Sequence, residues 1–255
     1  MTKPLVTLRD AGKVYGTGTV ALAGFDLEVR RGEFLTLLGP SGCGKSTVLR
    51  LIAGLDEVTS GKLTRGFTPN EASIGFVFQD STLMPWASVF DNVYLPLRLR
   101  GTPRREAAPS IEKVLALAGL SDFSRAFPRE LSGGMRMRTS IARALVLRPL
   151  LLLMDEPFAA LDEITRFKLN DDLLRLQGEL GMTVVFVTHS VFESVFLSTT
   201  IAVMAKRPGR IVAKIPIEAP SPRGMAYRTS SRYASYCAEA SRALQRAMEV
   251  SSKDG

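Results

Sequence analysis

The chain has 255 residues, of which 45% are hydrophobic and 23% are charged, so it can bury a sizeable core in one large domain or in a domain with a subdomain. The formal net charge of +8 fits anionic partners such as nucleic acid, lipid headgroups or nucleotides, but the basic residues are scattered and favour an ordinary solvated surface. A single histidine excludes a metal site built from several histidines, and two cysteines give no disulfide framework.

Membrane-spanning and secretory segments are not expected. The longest apolar run, LLLLM at 150–154, falls well short of the ~20 residues that a membrane-spanning helix needs. The N-terminal MTKPLVTLRD lacks the apolar core of a signal peptide. We therefore expect a protein of the cytoplasm.

Short apolar runs alternate with helical stretches, which predicts an α/β fold with a largely parallel sheet. Two strands are predicted within 25–39, around a turn at Arg31 and Gly32, and a helix over 45–53 follows a glycine-rich loop. Further strands are predicted over 72–79, 150–157 and 182–190.

Helical patterns replace strand patterns between residues 87 and 148. Three helical segments are predicted there, at 89–101, 105–120 and 135–147. We interpret 87–148 as a helical subdomain inserted into an α/β core made of 1–86 and 149–215. A later helix, 163–180, is predicted to bury one face because four leucines recur at helical spacing, Leu169, Leu173, Leu176 and Leu180.

The C-terminal part, 216–255, begins with a proline-rich linker at 216–224. An amphipathic helix follows, with its apolar residues at Tyr233, Cys237, Ala240, Leu244 and Met248. Packing of this helix on its own domain is the favoured interpretation, and contact with another subunit is the alternative.

The loop at 39–47 reads GPSGCGKST and fits the pattern G-x-x-x-x-G-K-[ST], between a predicted strand and a predicted helix. Its glycines let backbone N–H groups surround a triphosphate, while Lys45 would hold the β- and γ-phosphates and Ser46 would bind Mg²⁺. The loop residues expected to contact nucleotide are Gly39, Ser41, Gly42, Cys43, Gly44, Lys45, Ser46 and Thr47.

Polar residues also end three of the buried strands. Asp155 and Glu156 follow 150–154, which suits one carboxylate that orients Mg²⁺ and one that acts as general base for water. Gln79 and His189 end two further strands, where Gln79 is placed to sense Mg²⁺ or the attacking water and His189 to reach a γ-phosphate. An ordinary acidic turn and a structural histidine are the alternatives.

A second phosphate-facing loop occurs at 131–135, LSGGM, just before a helical run. Ser132, Gly133 and Gly134 lie in the helical subdomain, away from the core's own loop. They would serve the nucleotide of another copy, so that two chains packed head to tail share two sites.

Taken together, these residues resemble the nucleotide-binding subunit of ATP-binding-cassette (ABC) transporters, over about 5–215. The ordered set comprises Tyr15, the loop 39–47, Gln79, LSGGM, LLLMDEP at 151–157, ALD at 160–162 and His189. The resemblance implies a P-loop NTPase (RecA-like) core with an N-terminal antiparallel β subdomain, Mg²⁺ and ATP as cofactors, adenine stacked on Tyr15, and Asp162 linking the two sites. Two positions depart from the family pattern, Met135 in place of Gln and Ala159 in place of Ser.

The resemblance also implies partners: a homodimer or paired cassette, transmembrane permease subunits, and indirectly a periplasmic or extracellular solute-binding protein. The chain would then sit at the cytoplasmic face of the cell membrane, with no nucleic acid bound. The loop around Leu83, Met84 and Trp86 is a candidate permease-docking surface, unless these residues cap the subdomain's own core.

The segments EPFAALD and AKRPGRIVAKIPI are similar to the importer branch for nitrate, sulfonates and taurine. Import of pyrimidine precursors of thiamine is an alternative, as is a soluble ABC ATPase in iron–sulfur assembly. A ribosome- or DNA-directed cassette protein is less well supported because those carry two cassettes or a long insertion. A kinase lacks the LSGGM signature, and the base-reading motif of a GTPase is absent from the sequence.

Overall fold

The structure of the protein is a computed structural model, which describes residues 4–67, 74–206 and 208–253. The chain divides into two compact units. Unit 1 comprises Met1–Glu71 and Met182–Gly255, and unit 2 comprises Ala72–Gly181.

Nine strands are seen among the described residues. They are β1 (Val6–Val14), β2 (Val20–Val29), β3 (Phe34–Leu38), β4 (Ser60–Arg65), β5 (Ile74–Val77), β6 (Leu151–Asp155), β7 (Thr183–Thr188), β8 (Thr200–Ala205) and β9 (Arg210–Pro216).

Eight α-helices are seen within the same described ranges. They are α1 (Lys45–Ala53), α2 (Val89–Leu99), α3 (Arg104–Leu117), α4 (Gly133–Leu145), α5 (Glu163–Leu180), α6 (Val191–Leu197), α7 (Met225–Arg228) and α8 (Ser231–Lys253).

Unit 1 holds an antiparallel sheet and a largely parallel one. Strands β2, β1 and β4 form the antiparallel sheet in that order. In the other, β3 pairs in parallel with both β7 and β8, and β9 pairs antiparallel to β8. Every residue of β3 and β7 is buried, as expected of central parallel strands rich in Val, Leu and Phe. The antiparallel sheet and the parallel core agree with the predicted fold class.

Unit 2 contains the parallel pair β5 and β6 together with helices α2 to α5. Helix α4 packs on α2, α3, α5 and β5. The buried side of α4 includes Met137, Ile141, Ala142 and Leu145, at the spacing of one helix face. Helix α4, which begins at the LSGGM loop, is therefore the central helix of unit 2.

Most predicted elements are confirmed to within a few residues, and the helix predicted over 45–53 is confirmed at both ends. The two strands predicted within 25–39 are present as β2 and β3, but they belong to different sheets. Residues 72 and 73 of the strand predicted over 72–79 lie outside the described residues. The leucine prediction is correct for the first three leucines of α5 but wrong for Leu180, which is 37% exposed because it is the helix's last residue.

The C-terminal helix α8 packs on α6 and β8 of its own unit. The Tyr233 hydroxyl donates to the Phe192 carbonyl oxygen at 3.0 Å, and Ala240 is fully buried. Packing on its own domain, the favoured interpretation, is thereby confirmed. Met248, expected on the apolar face, is instead 54% exposed because it lies near the end of the helix.

Candidate nucleotide site and family

The glycine-rich loop connects the buried strand β3 to helix α1, as its motif requires. Gly44 occupies the N-cap position of α1 with φ of 93°, a left-handed conformation that favours glycine. No side chain caps this helix start, and its first turn holds no acidic residue. The first N–H groups of α1, together with the positive end of the helix dipole, therefore suit an anionic group such as a phosphate.

Lys45 is the first residue of α1 and is only 4% exposed. Its Nζ donates to the carbonyl oxygens of Gly39 at 2.8 Å and Pro40 at 3.1 Å, so the ammonium group lies against its own loop. The buried ammonium group and the N–H groups of the helix start together supply the hydrogen-bond donors that phosphate oxygens need. The loop therefore fits the triphosphate of a nucleotide.

Tyr15 lies beyond the end of β1 and reaches the start of α1. Its hydroxyl is 3.1 Å from the Thr47 hydroxyl and 3.4 Å from a carboxylate oxygen of Asp56. The Lys13 ammonium lies 5.2 Å from the centre of the Tyr15 ring and pairs with Asp56 at 3.0 Å. These contacts fix the aromatic ring beside the phosphate loop. Sequence reasoning missed Lys13 and Asp56, although Lys13 lies two residues before Tyr15.

The phosphate loop and His189 leave the parallel sheet of unit 1 at the same edge. Leu38 of β3 is in register with Thr188 of β7, so Gly39 and His189 are each the next residue along parallel strands. The side chain of His189 is exposed, and Ser190 caps α6 through the Glu193 N–H at 3.3 Å. Unit 1 therefore brings together three of the predicted features: the aromatic residue, the phosphate loop and the histidine.

Gln79 and Glu156 have the same relation in unit 2. Val77 of β5 is in register with Met154 of β6. Gln79 lies two residues after Val77, and Glu156 lies two residues after Met154. Asp155 is the last residue of β6, whose preceding four residues are all buried. Because parallel strands share their carboxyl edge, the three polar side chains emerge at one edge of this strand pair.

Glu156 has a φ of 45°, a left-handed conformation that non-glycine residues seldom adopt. The strand thus turns sharply at this carboxylate, and the N–H of Ala159 donates to the Glu156 carbonyl oxygen at 3.2 Å. Strained backbone of this kind is concentrated at functional sites, where the surrounding structure holds it in place. The conformation sets Glu156 apart from an ordinary strand end.

The LSGGM loop forms the start of helix α4. Ser132 is the N-cap, and its hydroxyl accepts a hydrogen bond from the Met135 N–H at 3.2 Å. The serine side chain is exposed and the first turn holds no acidic residue. The Met135 contribution to this cap comes from its backbone, so the departure from Gln leaves the cap intact.

Asp162 caps the next helix of unit 2. Its carboxylate accepts from the Thr165 N–H at 2.9 Å, and this backbone hydrogen bond is the main cause that lowers the Asp162 pKa. The side chain is exposed at the surface of the unit. Sequence reasoning did not identify Thr165, which also contacts the signature loop through Gly134.

Unit 2 thus holds the remaining predicted residues: Gln79, Asp155, Glu156, the Ser132–Gly134 loop and Asp162. Within residues 4–67, 74–206 and 208–253, no helix is both long enough and apolar enough to cross a bilayer.

Comparison with known proteins identifies the family. Residues 22–159 match the family model described as ABC transporter. An uncharacterized ABC transporter ATP-binding protein of Methanocaldococcus jannaschii is 46% identical over 224 residues, 87% of this chain and 83% of that protein.

Two further relatives carry import functions in their names. A taurine import ATP-binding protein of Rhizobium johnstonii is 44% identical over 207 residues, 80% of this chain and 79% of the relative. An aliphatic sulfonates import ATP-binding protein of Pseudomonas syringae pv. syringae is 44% identical over 223 residues, 88% of this chain and 90% of the relative.

Solved structures show the same fold. CbiO1 from Clostridium perfringens, part of an ABC transporter complex, has a TM-score of 0.75 and 29% identity over 83% of this chain and 88% of that chain. A bacterial ABC transporter cassette solved as a dimer bound to ADP and phosphate, in a post-hydrolysis state, has a TM-score of 0.71 and 34% identity over 84% of this chain and all of that one. The chain belongs to the ABC transporter family, as an ATP-binding ATPase subunit with the P-loop NTPase fold.

Proposed function

We propose that this chain is the ATP-hydrolysing subunit of an importer for a small organic or anionic solute of the nitrate, sulfonate or taurine type. Two copies, or one copy and a related cassette, would close around two MgATP molecules and drive separate permease subunits at the cytoplasmic face of the cell membrane. A periplasmic or extracellular solute-binding protein would deliver the solute. The names of the taurine and sulfonate relatives support the solute class.

One observation carries this proposal. Two of the described helix starts carry the glycine-rich loops and suit phosphate: α1 in unit 1, which no side chain caps, and α4 in unit 2, capped by the exposed Ser132. A single bound nucleotide needs one of them, and a second is explained if it serves a partner's nucleotide. The proposal keeps a functional division into a core (1–86 and 149–215), a signature subdomain (87–148) and a C-terminal part (216–255).

The phosphate loop would bind the triphosphate through its N–H groups and Lys45, and Tyr15 would stack on adenine. Ser46, Gln79 and Asp155 offer the hydroxyl, amide and carboxylate oxygens that Mg²⁺ prefers. When bound, Mg²⁺ neutralises charge on the phosphate oxygens. Thr47, through its hydroxyl, links the loop to Tyr15 and is held at 3.1 Å from it.

Glu156 would accept the proton of the attacking water, as a general base must lie within hydrogen-bond reach of that water. His189 would donate to the γ-phosphate oxygens, and Gln79 would orient the water. Glu156 and His189 stand directly beyond a strand and Gln79 stands two residues beyond one, an arrangement that supports these roles because strand ends are rigid supports for reacting groups.

Closure would set Ser132, Gly133 and Gly134 against the nucleotide of the partner copy, with Asp162 between the two sites. Because only the closed dimer gains these contacts, ATP binding favours closure, and loss of the γ-phosphate favours opening. The exposed positions of Ser132 and Asp162 support this role.

Permease binding is assigned to the loop after β5. Trp86 is 77% exposed, while Leu83 and Met84 are half-buried. An exposed tryptophan on a surface loop is the type of anchor that dominates protein interfaces. The degree of exposure favours docking over a role as a cap on the subdomain's own core.

Growth of the source organism tests the solute class. Deletion of the gene is expected to abolish growth on one of taurine, an alkanesulfonate or nitrate as sole sulfur or nitrogen source, while growth on sulfate and ammonium is retained. The wild-type gene should restore growth and Lys45→Met should not. Undiminished growth on all three sources would overturn the solute assignment, and a requirement for thiamine would point to pyrimidine import instead.

A further inference from the structure

The loop between β5 and α2, residues 78–88, carries the sole tryptophan of the chain, Trp86. We call it the Trp86 loop. Although Trp86 is 77% exposed, the backbone of its loop is held by side chains from two different helices, the buried Asn92 of α2 and the half-buried Arg143 of α4. A loop held so firmly is suited to transmitting a displacement rather than absorbing it.

The first support comes from α2. Asn92 is fully buried, and its amide oxygen accepts from the Met84 N–H at 2.8 Å. Its amide nitrogen lies within hydrogen-bond distance of three carbonyl oxygens, those of Met84 at 3.2 Å, Ala87 at 3.1 Å and Ser88 at 3.0 Å. Asn92 therefore fixes the second half of the Trp86 loop to α2, on both sides of the tryptophan.

The second support comes from α4, the helix that begins at the signature loop. Arg143 donates to the Ser81 carbonyl at 3.0 Å, and to the Thr82 carbonyl and Thr82 hydroxyl, each at 2.8 Å. These three contacts span more than sixty positions in sequence. Arginine is suited to them because its planar fork of N–H donors meets several acceptors at once.

The segment that Arg143 holds is strained. Thr82 has a φ of 46°, a left-handed conformation that is costly for a β-branched residue. Burial lowers the pKa of Arg143, and its neighbours here are neutral carbonyl and hydroxyl groups rather than a carboxylate. Arg143 therefore holds the first half of the Trp86 loop in place through hydrogen bonds to Ser81 and Thr82.

Helix α4 joins Arg143 to the signature loop. Ser132 caps one end of the helix and Arg143 lies eleven residues further, about 16 Å along the axis at 1.5 Å per residue. Its turns are joined by backbone hydrogen bonds, so a rotation of the helix would carry both ends together. A rotation imposed at Ser132 would therefore reach the loop through the contacts of Arg143 with Ser81 and Thr82.

We propose that Arg143 is a positioning residue that couples the signature loop to the Trp86 loop, so that engagement of Ser132 by a partner's nucleotide displaces Trp86. This rests on the proposed function, because it takes Ser132 to contact a nucleotide across a dimer. Arg143 itself touches neither nucleotide nor water in this account. Its effect is on coupling between two surfaces of unit 2.

Fluorescence of Trp86 tests the coupling in the full-length protein, since no other tryptophan contributes to the emission. The background is Glu156→Gln, which is expected to bind MgATP and hydrolyse it slowly. Acrylamide quenching and anisotropy of Trp86 are measured with and without MgATP, and light scattering of the same samples reports dimerisation. The test variant adds Arg143→Met, and the matched control adds Arg105→Met, an exposed arginine of α3.

We expect the Glu156→Gln protein and its Arg105→Met control to show the same MgATP-induced change at Trp86. With Arg143→Met, dimerisation should persist while the change falls about twofold or more, as for loss of one residue of a coupling network. Arg143→Lys, which keeps the charge but not the fork, should give a partial loss, and it replaces Arg143→Met if that protein does not fold.

Two results would overturn the coupling and leave the dimer proposal standing. The first is a dimer of the Arg143→Met protein with an undiminished Trp86 response. The second is a Glu156→Gln protein that dimerises with MgATP while the quenching and anisotropy of Trp86 stay unchanged. If Glu156→Gln binds MgATP and stays monomeric, light scattering shows that the shared-site function has failed, and the coupling falls with it.

Discussion

Gly134 faces the γ-methyl group of Thr165 so closely that no side chain fits between them. A β-carbon at position 134 would lie 2.6 Å from that methyl carbon, well inside van der Waals contact. The second glycine of the signature loop is thus required by the packing of α4 against α5, in addition to any contact with nucleotide. The helix that Asp162 caps and the helix that Ser132 caps meet at this point.

Gly134→Ala is therefore expected to lower the free energy of unfolding by about 1–3 kcal/mol, the usual cost of overpacking. Thr165→Ser removes only the interfering methyl group and keeps the hydroxyl, so it should restore most of that loss. Chemical denaturation of both single variants and the double variant measures the coupling. Additive effects of the two substitutions would show that the contact does not limit packing.

Glu156→Gln is expected to slow ATP hydrolysis by about 10²–10⁴-fold while ATP binding is retained, because the amide cannot accept the proton of water. Phosphate release and nucleotide binding are measured on the same preparation. Glu163→Gln, in the exposed first turn of α5, is the matched control and should hydrolyse ATP at the wild-type rate. Equal rates for Glu156→Gln and the wild type would remove Glu156 from the mechanism.

Tyr15→Ala is expected to weaken ATP binding by about tenfold or more, since stacking of one base on an aromatic ring contributes about 1–3 kcal/mol. Inorganic triphosphate has no base, so its affinity should not change. Tyr15→Phe keeps the ring but loses the contacts to Thr47 and Asp56, so its ATP affinity should lie between those of the wild type and Tyr15→Ala. Equal losses for ATP and triphosphate would mean that Tyr15 supports the phosphate loop rather than the base.

The cap of α5 gives a pH dependence whose sign follows from the lowered pKa of Asp162. The ionised carboxylate is the better acceptor, so its contribution to stability is fully present above the ordinary aspartate pKa of about 3.9 and is lost as the pH falls through the lower folded value. Asp162→Asn keeps an acceptor but cannot titrate. The difference in unfolding free energy between wild type and Asp162→Asn should therefore change below about pH 4, and a constant difference would contradict the account.

Local pattern predicted most of the elements that position the site, but not the strand β1 that precedes Tyr15 and not the contacts between distant residues. The helix over 45–53 and the buried strands β3, β6 and β7 were predictable because their apolar residues are continuous or periodic. No strand was predicted at β4, whose residues are mostly exposed and carry no such pattern. The contact of Arg143 with Ser81 and Thr82 has no signal in sequence, because nothing local marks which arginine of α4 reaches a loop sixty residues away.

The site residues were found from chemistry rather than periodicity. Strand ends predicted Gln79, Glu156 and His189, and the register of the parallel strands places two pairs of site features at common edges. The left-handed conformation of Glu156 was not predictable, since glutamate rarely adopts it. It depends on the tertiary structure around the turn.

The central claim is that two chains share their nucleotide sites through Ser132. The most direct test is the mass of purified Glu156→Gln by light scattering, with and without MgATP, and with Ser132→Arg added. The account predicts a monomer that becomes a dimer only with MgATP, and a Ser132→Arg protein that binds ATP but stays monomeric. The account would be contradicted if the Ser132→Arg protein still dimerised with MgATP, or if Glu156→Gln alone stayed monomeric with ATP bound.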